Sequence, residues 1–136
     1  MAHYSKGANA ERELISILWQ NNFSVVRTAG SGTSPLPAPD LVALSKEKKL
    51  AFECKAWNAG YLNIPLKQME EQLFWCERAG AELIVAWKIP RQGFLFLRPE
   101  AFTKVGKSYA ISRKKALTSA INLGIILGQQ SKLGMQ

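Results

Sequence analysis

The chain is predicted to form an α/β domain in which a mixed central sheet is flanked by helices. Apolar residues alternate with polar ones in several short runs, which is typical of strands. In two longer segments they recur at helical spacing. The two kinds of segment are interleaved as a helix, three strands, a second helix and two strands, which predicts a mixed α/β architecture. At 136 residues and 47% hydrophobic content, we expect a single globular domain over 1–136.

The first helix is expected at about 8–20, because the apolar residues Leu14, Ile15, Leu18 and Trp19 recur at helical spacing. It would follow a basic N-terminal arm at 1–7. The later elements are expected as strands at 23–28, 41–44 and 50–55, a helix entered at Pro65, strands at 83–87 and 94–97, a helical turn at 99–102, an edge strand at 108–111 and a helix at 112–124. The tail at 129–136 is expected to be frayed.

The charge balance favours a polyanionic partner. Lys and Arg number 18 against 10 acids, a net charge of +8, which suits DNA or RNA better than an acidic small molecule. Cys54 and Cys76 lie inside apolar patterns and are expected as buried thiols, and with His3 as the single histidine no zinc site can be assembled. The apolar runs are too short to cross a membrane, so we expect no membrane partner and a cytoplasmic location.

The most informative stretch combines Pro39-Asp40 with Glu53-Cys54-Lys55. Residues two apart on a strand share a face, so Glu53 and Lys55 point to the same side. The turn at 45–49 suits an antiparallel hairpin that brings Asp40 beside Glu53. Two carboxylates and a lysine would then form a candidate magnesium site, since Mg²⁺ takes oxygen ligands. The alternative is a surface Glu53/Lys55 pair on a half-exposed strand.

Glu11 is a further candidate, because it precedes Leu14, Ile15 and Leu18 by three, four and seven residues and lies on the buried stripe. It could ligate a metal, or it could complement the helix dipole in the first turn; its position favours neither. Gln68, near the start of the second helix, could face the metal edge or be an ordinary surface glutamine.

Three other features could contact nucleic acid. The loop at 29–39 is rich in Gly, Ser and Pro and long for so small a domain; it would reach nucleic acid or serve only as a connection. Trp57 and Tyr61 are expected to be packed or near the substrate. Arg113, Lys114 and Lys115 form a solvated helix face or contact phosphates, as would Lys6 in the N-terminal arm.

Five colinear segments resemble the archaeal Holliday junction resolvases (Hjc), and they cover 6–14, 23–27, 29–32, 39–43 and 53–55. The triplet Asp40, Glu53 and Lys55 alone is similar to the wider PD-(D/E)xK nucleases. Three features narrow the resemblance from this superfamily to the Hjc resolvases: the helix containing Ala-Glu-Arg-Glu, the strand with Arg27, and the small size of the chain. It implies a restriction-endonuclease-like fold and a crossover junction endonuclease that resolves four-way DNA junctions by paired symmetric nicks.

The resemblance also implies roles for individual residues. Asp40 and Glu53 would ligate Mg²⁺, or Mn²⁺ in its place, together with the backbone carbonyl of Cys54. Glu11 would lie at the same metal centre, and Lys55 would position the attacking water. The positions that match family residues involved in DNA contact or cleavage are Arg12, Arg27 and the loop residue Ser31.

The resemblance implies a homodimer, because a four-way junction has pseudo-two-fold symmetry that two active sites can match. The interface was expected on the second helix and on the strands from Leu83 onward. The tail resembles a sliding-clamp-binding peptide faintly, without its aromatic pair, and the protein would work at the nucleoid.

Two alternatives to a junction resolvase are kept. One is a restriction-type or RecB-like nuclease that cuts duplex or flap DNA, and the other is a non-catalytic junction-binding module.

Overall fold

The computed structural model describes residues 2–28 and 36–128, with side chains from residue 7 onward. The described helices are α1 (Ala2–Gln20), α2 (Leu66–Ala79), α3 (Arg113–Ser119) and α4 (Leu123–Ile126), with a 3₁₀ turn at Pro99–Ala101. The described strands are β1 (Ser24–Arg27), β2 (Leu41–Leu44), β3 (Lys49–Ala56), β4 (Tyr61–Pro65), β5 (Glu82–Ile89), β6 (Gly93–Leu97), β7 (Thr103–Val105) and β8 (Ser108–Ser112).

The central sheet has the strand order β1-β2-β3-β5-β6. Its β3–β5 pair is parallel and its other pairs are antiparallel, so the sheet is mixed. A parallel neighbour requires a long crossover, and here that crossover includes β4 and α2. The remaining strands form a small antiparallel sheet in the order β4-β8-β7.

Strand β3 is buried on both faces, and its alternation divides the core in two. Leu50 and Phe52 pack on one face in a cluster that includes Leu14 and Leu18 of α1. Ala51 faces the other way, into a cluster that includes α2 residues such as Met69 and Cys76. Helices therefore flank the central sheet, and the predicted fold class is confirmed. A carboxylate on this strand, such as Glu53, enters a mostly apolar interior.

The predicted N-terminal boundary is wrong. Helix α1 begins at Ala2 and continues through Gly7, so residues 2–7 do not form an arm outside the helix. A glycine inside a helix costs only about 1 kcal/mol relative to alanine, and it does not force a break. Apolar periodicity could not reveal the first turns, because the large apolar residues that recur at helical spacing in the sequence begin only at Leu14.

Three predictions for the second half also need correction. The segment 108–111 belongs to β8, which is the middle strand of the small sheet and not an edge. Its neighbours β4 and β7 were missed, since both are short and β7 is exposed throughout. The helix expected at 112–124 is divided into α3 and α4, and the Asn122 side chain caps α4 by accepting the Gly124 N–H at 2.7 Å.

Trp87 and Phe96 are buried in the core, and Phe94 is partly buried against it. Both cysteines are free thiols; Cys76 is buried as expected, whereas Cys54 is only half-buried, because it lies near the end of β3. Within 2–28 and 36–128, no helix has the length and apolarity needed to span a membrane. The predictions for Ser31, for the tail at 129–136 with its clamp-binding resemblance, and for the Lys6 side chain lie outside the described residues.

Candidate active site

Asp40 and Glu53 are neighbours across the β2–β3 hairpin. Leu41 pairs with Phe52, so the next positions outward are Asp40 and Glu53, which lie on the same face. The Asp40 N–H donates to the Phe52 carbonyl at 3.1 Å, and the Cys54 N–H donates to Asp40 Oδ2 at 2.9 Å. These bonds fix the aspartate backbone and one of its carboxylate oxygens against β3.

Glu53 is held from two sides. Its Oε2 accepts hydrogen bonds from Gln68 Nε2 at 2.7 Å and from Lys55 Nζ at 3.2 Å. Its Oε1 is buried and, among the described residues, has no hydrogen-bond partner. A buried carboxylate oxygen without a donor is costly, so this atom is a ready ligand for a cation.

Glu11 approaches from the α1 side of the sheet. Its Oε1 accepts a hydrogen bond from Arg27 Nε at 2.6 Å, and the pair links α1 to the end of β1. The Glu11 side chain is 19% exposed and that of Arg27 is 50% exposed, so both can be reached from solvent. The negative charge of Glu11 is felt at both Asp40 and Glu53.

The electrostatics favour an added positive charge. Burial, followed by the neighbouring Asp40 charge, raises the pKa of Glu53 to about 7, and Lys55 only partly opposes this shift. Burial also raises the pKa of Asp40, although its bond from the Cys54 N–H acts in the opposite direction. Asp40 and Glu53 therefore share a poorly solvated edge, and a divalent cation bound there would relieve their mutual repulsion.

The donor set fits a hard cation in part. Asp40, Glu53 and a backbone carbonyl are oxygen ligands of the kind that Mg²⁺ takes, with water and substrate phosphate completing the shell. Among residues 2–28 and 36–128, however, no three His, Cys, Asp or Glu side chains form a group that could hold a metal ion in the present arrangement. Glu11 is paired with Arg27 instead of converging with the other two acids, so the predicted three-acid cluster is not present in this arrangement.

Comparisons with known proteins show the family of this chain. A family model described as archaeal Holliday junction resolvase (Hjc) matches residues 2–134. The chain belongs to this family. It is 36% identical over 107 residues to the crossover junction endodeoxyribonuclease Hjc of Archaeoglobus fulgidus, covering 79% of each chain. It is 32% identical over 131 residues to that of Methanocaldococcus jannaschii, covering 96% of this chain and 92% of the relative.

Solved structures of known proteins share the fold of this chain. The structure of Archaeoglobus fulgidus Hjc superposes with a TM-score of 0.82 and 27% identity, covering 91% of this chain and 97% of that one. A bacterial homing endonuclease superposes with a TM-score of 0.58 and 14% identity, covering 96% and 94%. The second likeness concerns the fold alone, and it agrees with the restriction-endonuclease-like architecture.

The other predicted site residues whose side chains the structure describes lie on α1, α2 and α3. Arg12 is exposed, and its Nη2 donates to Asn9 Oδ1 one helical turn earlier. Gln68 faces the site, as its bond to Glu53 shows. Lys114 and Lys115 are exposed on α3, while Arg113 Nη1 donates to Asn58 Oδ1 at 3.3 Å.

Sequence reasoning missed Gln72. This residue is only 6% exposed, and its Nε2 donates to the Ala38 carbonyl at 2.9 Å, which anchors the segment leading into Asp40. The signal was available, because Gln72 lies one helical turn after Gln68 on the same face of α2. Two buried or half-buried glutamines on one helix therefore support the two acids, Gln68 by contacting Glu53 and Gln72 by fixing the chain before Asp40.

Proposed function

We propose that the protein is a structure-selective endonuclease that resolves four-way DNA junctions by paired symmetric nicks, with a divalent metal as cofactor. The observation that carries the proposal is the buried Glu53 carboxylate, which has Asp40 and Lys55 beside it and one oxygen without a hydrogen-bond partner in the described part of the chain. A module that only binds DNA has no need for a buried acid pair. The named relatives are crossover junction endodeoxyribonucleases, which supports the same substrate.

We infer that Asp40, Glu53 and the Cys54 carbonyl hold Mg²⁺, which Mn²⁺ could replace, with Glu11 close to the same centre. When bound, the metal polarises a phosphoryl oxygen and lowers the pKa of a coordinated water. The Asp40 carboxylate is pre-oriented by the Cys54 N–H, and Gln68 orients Glu53. These contacts leave little rotation to be lost when the site is loaded.

Lys55 acts on the water and on the phosphate. Its ammonium group, 3.2 Å from Glu53 Oε2, can orient the attacking water and offset the charge that builds on the phosphoryl oxygens. Arg27 and Arg12 supply further cations for the strand that is cut. In the same proposal Lys6, Ser31, Arg113, Lys114 and Lys115 contact the arms of the junction, so binding should weaken steeply as salt is raised.

The active form in this proposal is a homodimer. Exposed apolar side chains on α2, notably Leu73 and Phe74, support an interface on that helix. Strand β5 cannot contribute as expected from the sequence, because its residues from Leu83 to Trp87 are all buried within the chain. Sedimentation of wild type and Phe74→Asp would test the interface. A clamp partner and a location at the nucleoid remain predictions.

A substrate panel tests the proposed function. Wild-type protein and Asp40→Asn are incubated with Mg²⁺ and labelled four-way, flap or linear DNA of shared sequence. We expect wild type to nick the four-way substrate alone, and Asp40→Asn to bind it without cutting. Cutting of linear or flap DNA at a similar rate would favour the restriction-type or RecB-like alternative. Binding by wild type without any cutting would favour the non-catalytic module.

A further inference from the structure

The loop that follows the catalytic strand exposes two aromatic rings. Residues 57–61 are all exposed, and they include Trp57 at 42% and Tyr61 at 62%. Neither belongs to the two apolar clusters of the core. Rings of this size normally bury much of their surface, so two of them exposed within five residues indicate a binding surface.

The backbone that bears these rings is fixed. The Trp57 carbonyl accepts a hydrogen bond from Trp87 Nε1, a fully buried indole, at 3.0 Å. At the other end of the loop, the Gly60 carbonyl accepts the Arg113 N–H at 2.8 Å. Tyr61 then enters β4 opposite Ser112 of β8. Because the loop is anchored at both ends, ordering it on a ligand should cost little entropy.

The position of the rings relates them to the proposed chemistry. Trp57 follows Lys55 by two residues, directly after the end of β3 at Ala56, so their Cα atoms are at most about 7 Å apart. On the other side of the loop, Arg113 contacts Asn58, and Lys114 and Lys115 follow it on α3. Residues 57–61 therefore follow the proposed active-site lysine closely in sequence. Through the Gly60–Arg113 hydrogen bond they also contact the start of α3, which carries a group of cations suited to phosphate.

We propose that Trp57 and Tyr61 form a stacking surface for the bases that lose a stacking neighbour at the branch point of the four-way junction; this rests on the proposed function. Base faces are covered along a linear duplex but can be uncovered where the strands exchange. An aromatic ring stacks on any base, so this contact recognises an open branch without reading sequence. The protein would bind linear duplex and four-way junctions alike through phosphate contacts, and the ring contacts would favour the junction.

Equilibrium binding tests the proposal with full-length protein in EDTA at fixed salt, so that no cleavage intervenes. The probes are a labelled four-way junction and a linear duplex of the same sequence. We expect Trp57→Ala and Tyr61→Ala each to weaken junction binding by about 5- to 100-fold and duplex binding by less than about 2-fold. Trp57→Phe, which keeps a ring, should restore most of the junction affinity.

Trp19→Ala is the matched control, since Trp19 is 68% exposed at the far end of α1, and it should bind both probes like wild type. Thermal melts check that each variant is folded; if Trp57→Ala does not fold, Trp57→Phe and Tyr61→Ala decide the question. Wild-type junction affinity in Tyr61→Ala and Trp57→Ala, or an equal loss on both probes, overturns the stacking surface. Failure of wild type to cut junctions with Mg²⁺ would instead overturn the proposed function.

Discussion

Replacing Glu53 by glutamine should destroy cleavage and stabilise the metal-free protein. The folded state raises the pKa of Glu53 from its ordinary 4.5 to about 7, mainly through burial and the Asp40 charge. Between pH 4.5 and pH 7, Glu53 binds more protons in the folded protein than in the unfolded chain. Its contribution to the stability of the fold therefore falls as the pH rises and levels off above pH 7. The full shift corresponds to about 3 kcal/mol of destabilisation.

Glutamine has a similar shape but no charge, so Glu53→Gln should remove this pH-dependent cost. Allowing for an imperfect amide contact with Gln68 and Lys55, we expect a gain of roughly 1–3 kcal/mol at pH 8, or about 3–5 °C in Tm per kcal/mol. At pH 5 the two proteins should melt close together. Cleavage of the junction should fall below detection, because a proposed metal ligand is lost.

The assay is a thermal melt of both proteins in EDTA from pH 5 to pH 8. Glu70→Gln serves as the control, since Glu70 is exposed on the same α2 helix that supplies Gln68, and it should shift Tm little at any pH. A Glu53→Gln protein that is less stable than wild type at pH 8 would contradict the prediction that the buried Glu53 charge destabilises the fold. It would mean that the Lys55 ion pair outweighs the cost of burying the charge.

Three further predictions concern the same site. Mg²⁺ at one hundred times Kd should add about 2.7 kcal/mol to the free energy of unfolding of wild type and so raise its Tm, and it should leave the Tm of Glu53→Gln unchanged; equal Tm shifts would place the metal elsewhere. Arg27→Ala should slow single-turnover cleavage at least tenfold while costing about 1 kcal/mol or less, since its pair with Glu11 is partly exposed; a large loss of Tm would make Arg27 structural. Gln68→Ala should lower the cleavage rate with junction affinity unchanged, and an unaltered rate would remove Gln68 from the site.

The sequence predicted those elements whose apolar pattern is strong. The β2–β3 hairpin, α2 and the apolar strands β5 and β6 could be predicted, because the apolar pattern is continuous in each. Strands β4 and β7 could not, since they are stabilised by pairing with β8 and not by a long apolar pattern of their own. The first turns of α1 were missed because they precede Leu14, the first large apolar residue of the helical pattern.

For the site, the sequence predicted which acids and which lysine lie together on one face of the hairpin. The period of two placed Glu53 and Lys55 together, and hairpin geometry placed Asp40 beside them. Sequence could not give the pairing of Glu11 with Arg27, because that contact joins a helix to an edge strand across 16 residues. Nor could it give the anchoring of the Asp40 segment by Gln72, which depends on how α2 packs on the sheet.

Mapping the cuts at single-nucleotide resolution tests the central claim most directly. All four strands of an immobile junction are labelled in turn and cleaved with wild-type protein and Mg²⁺ under single-turnover conditions. We expect nicks at matching positions in one pair of opposite strands, and none with Glu53→Gln. Cuts in a single strand, cuts spread along the arms, or normal nicking by Glu53→Gln would contradict it.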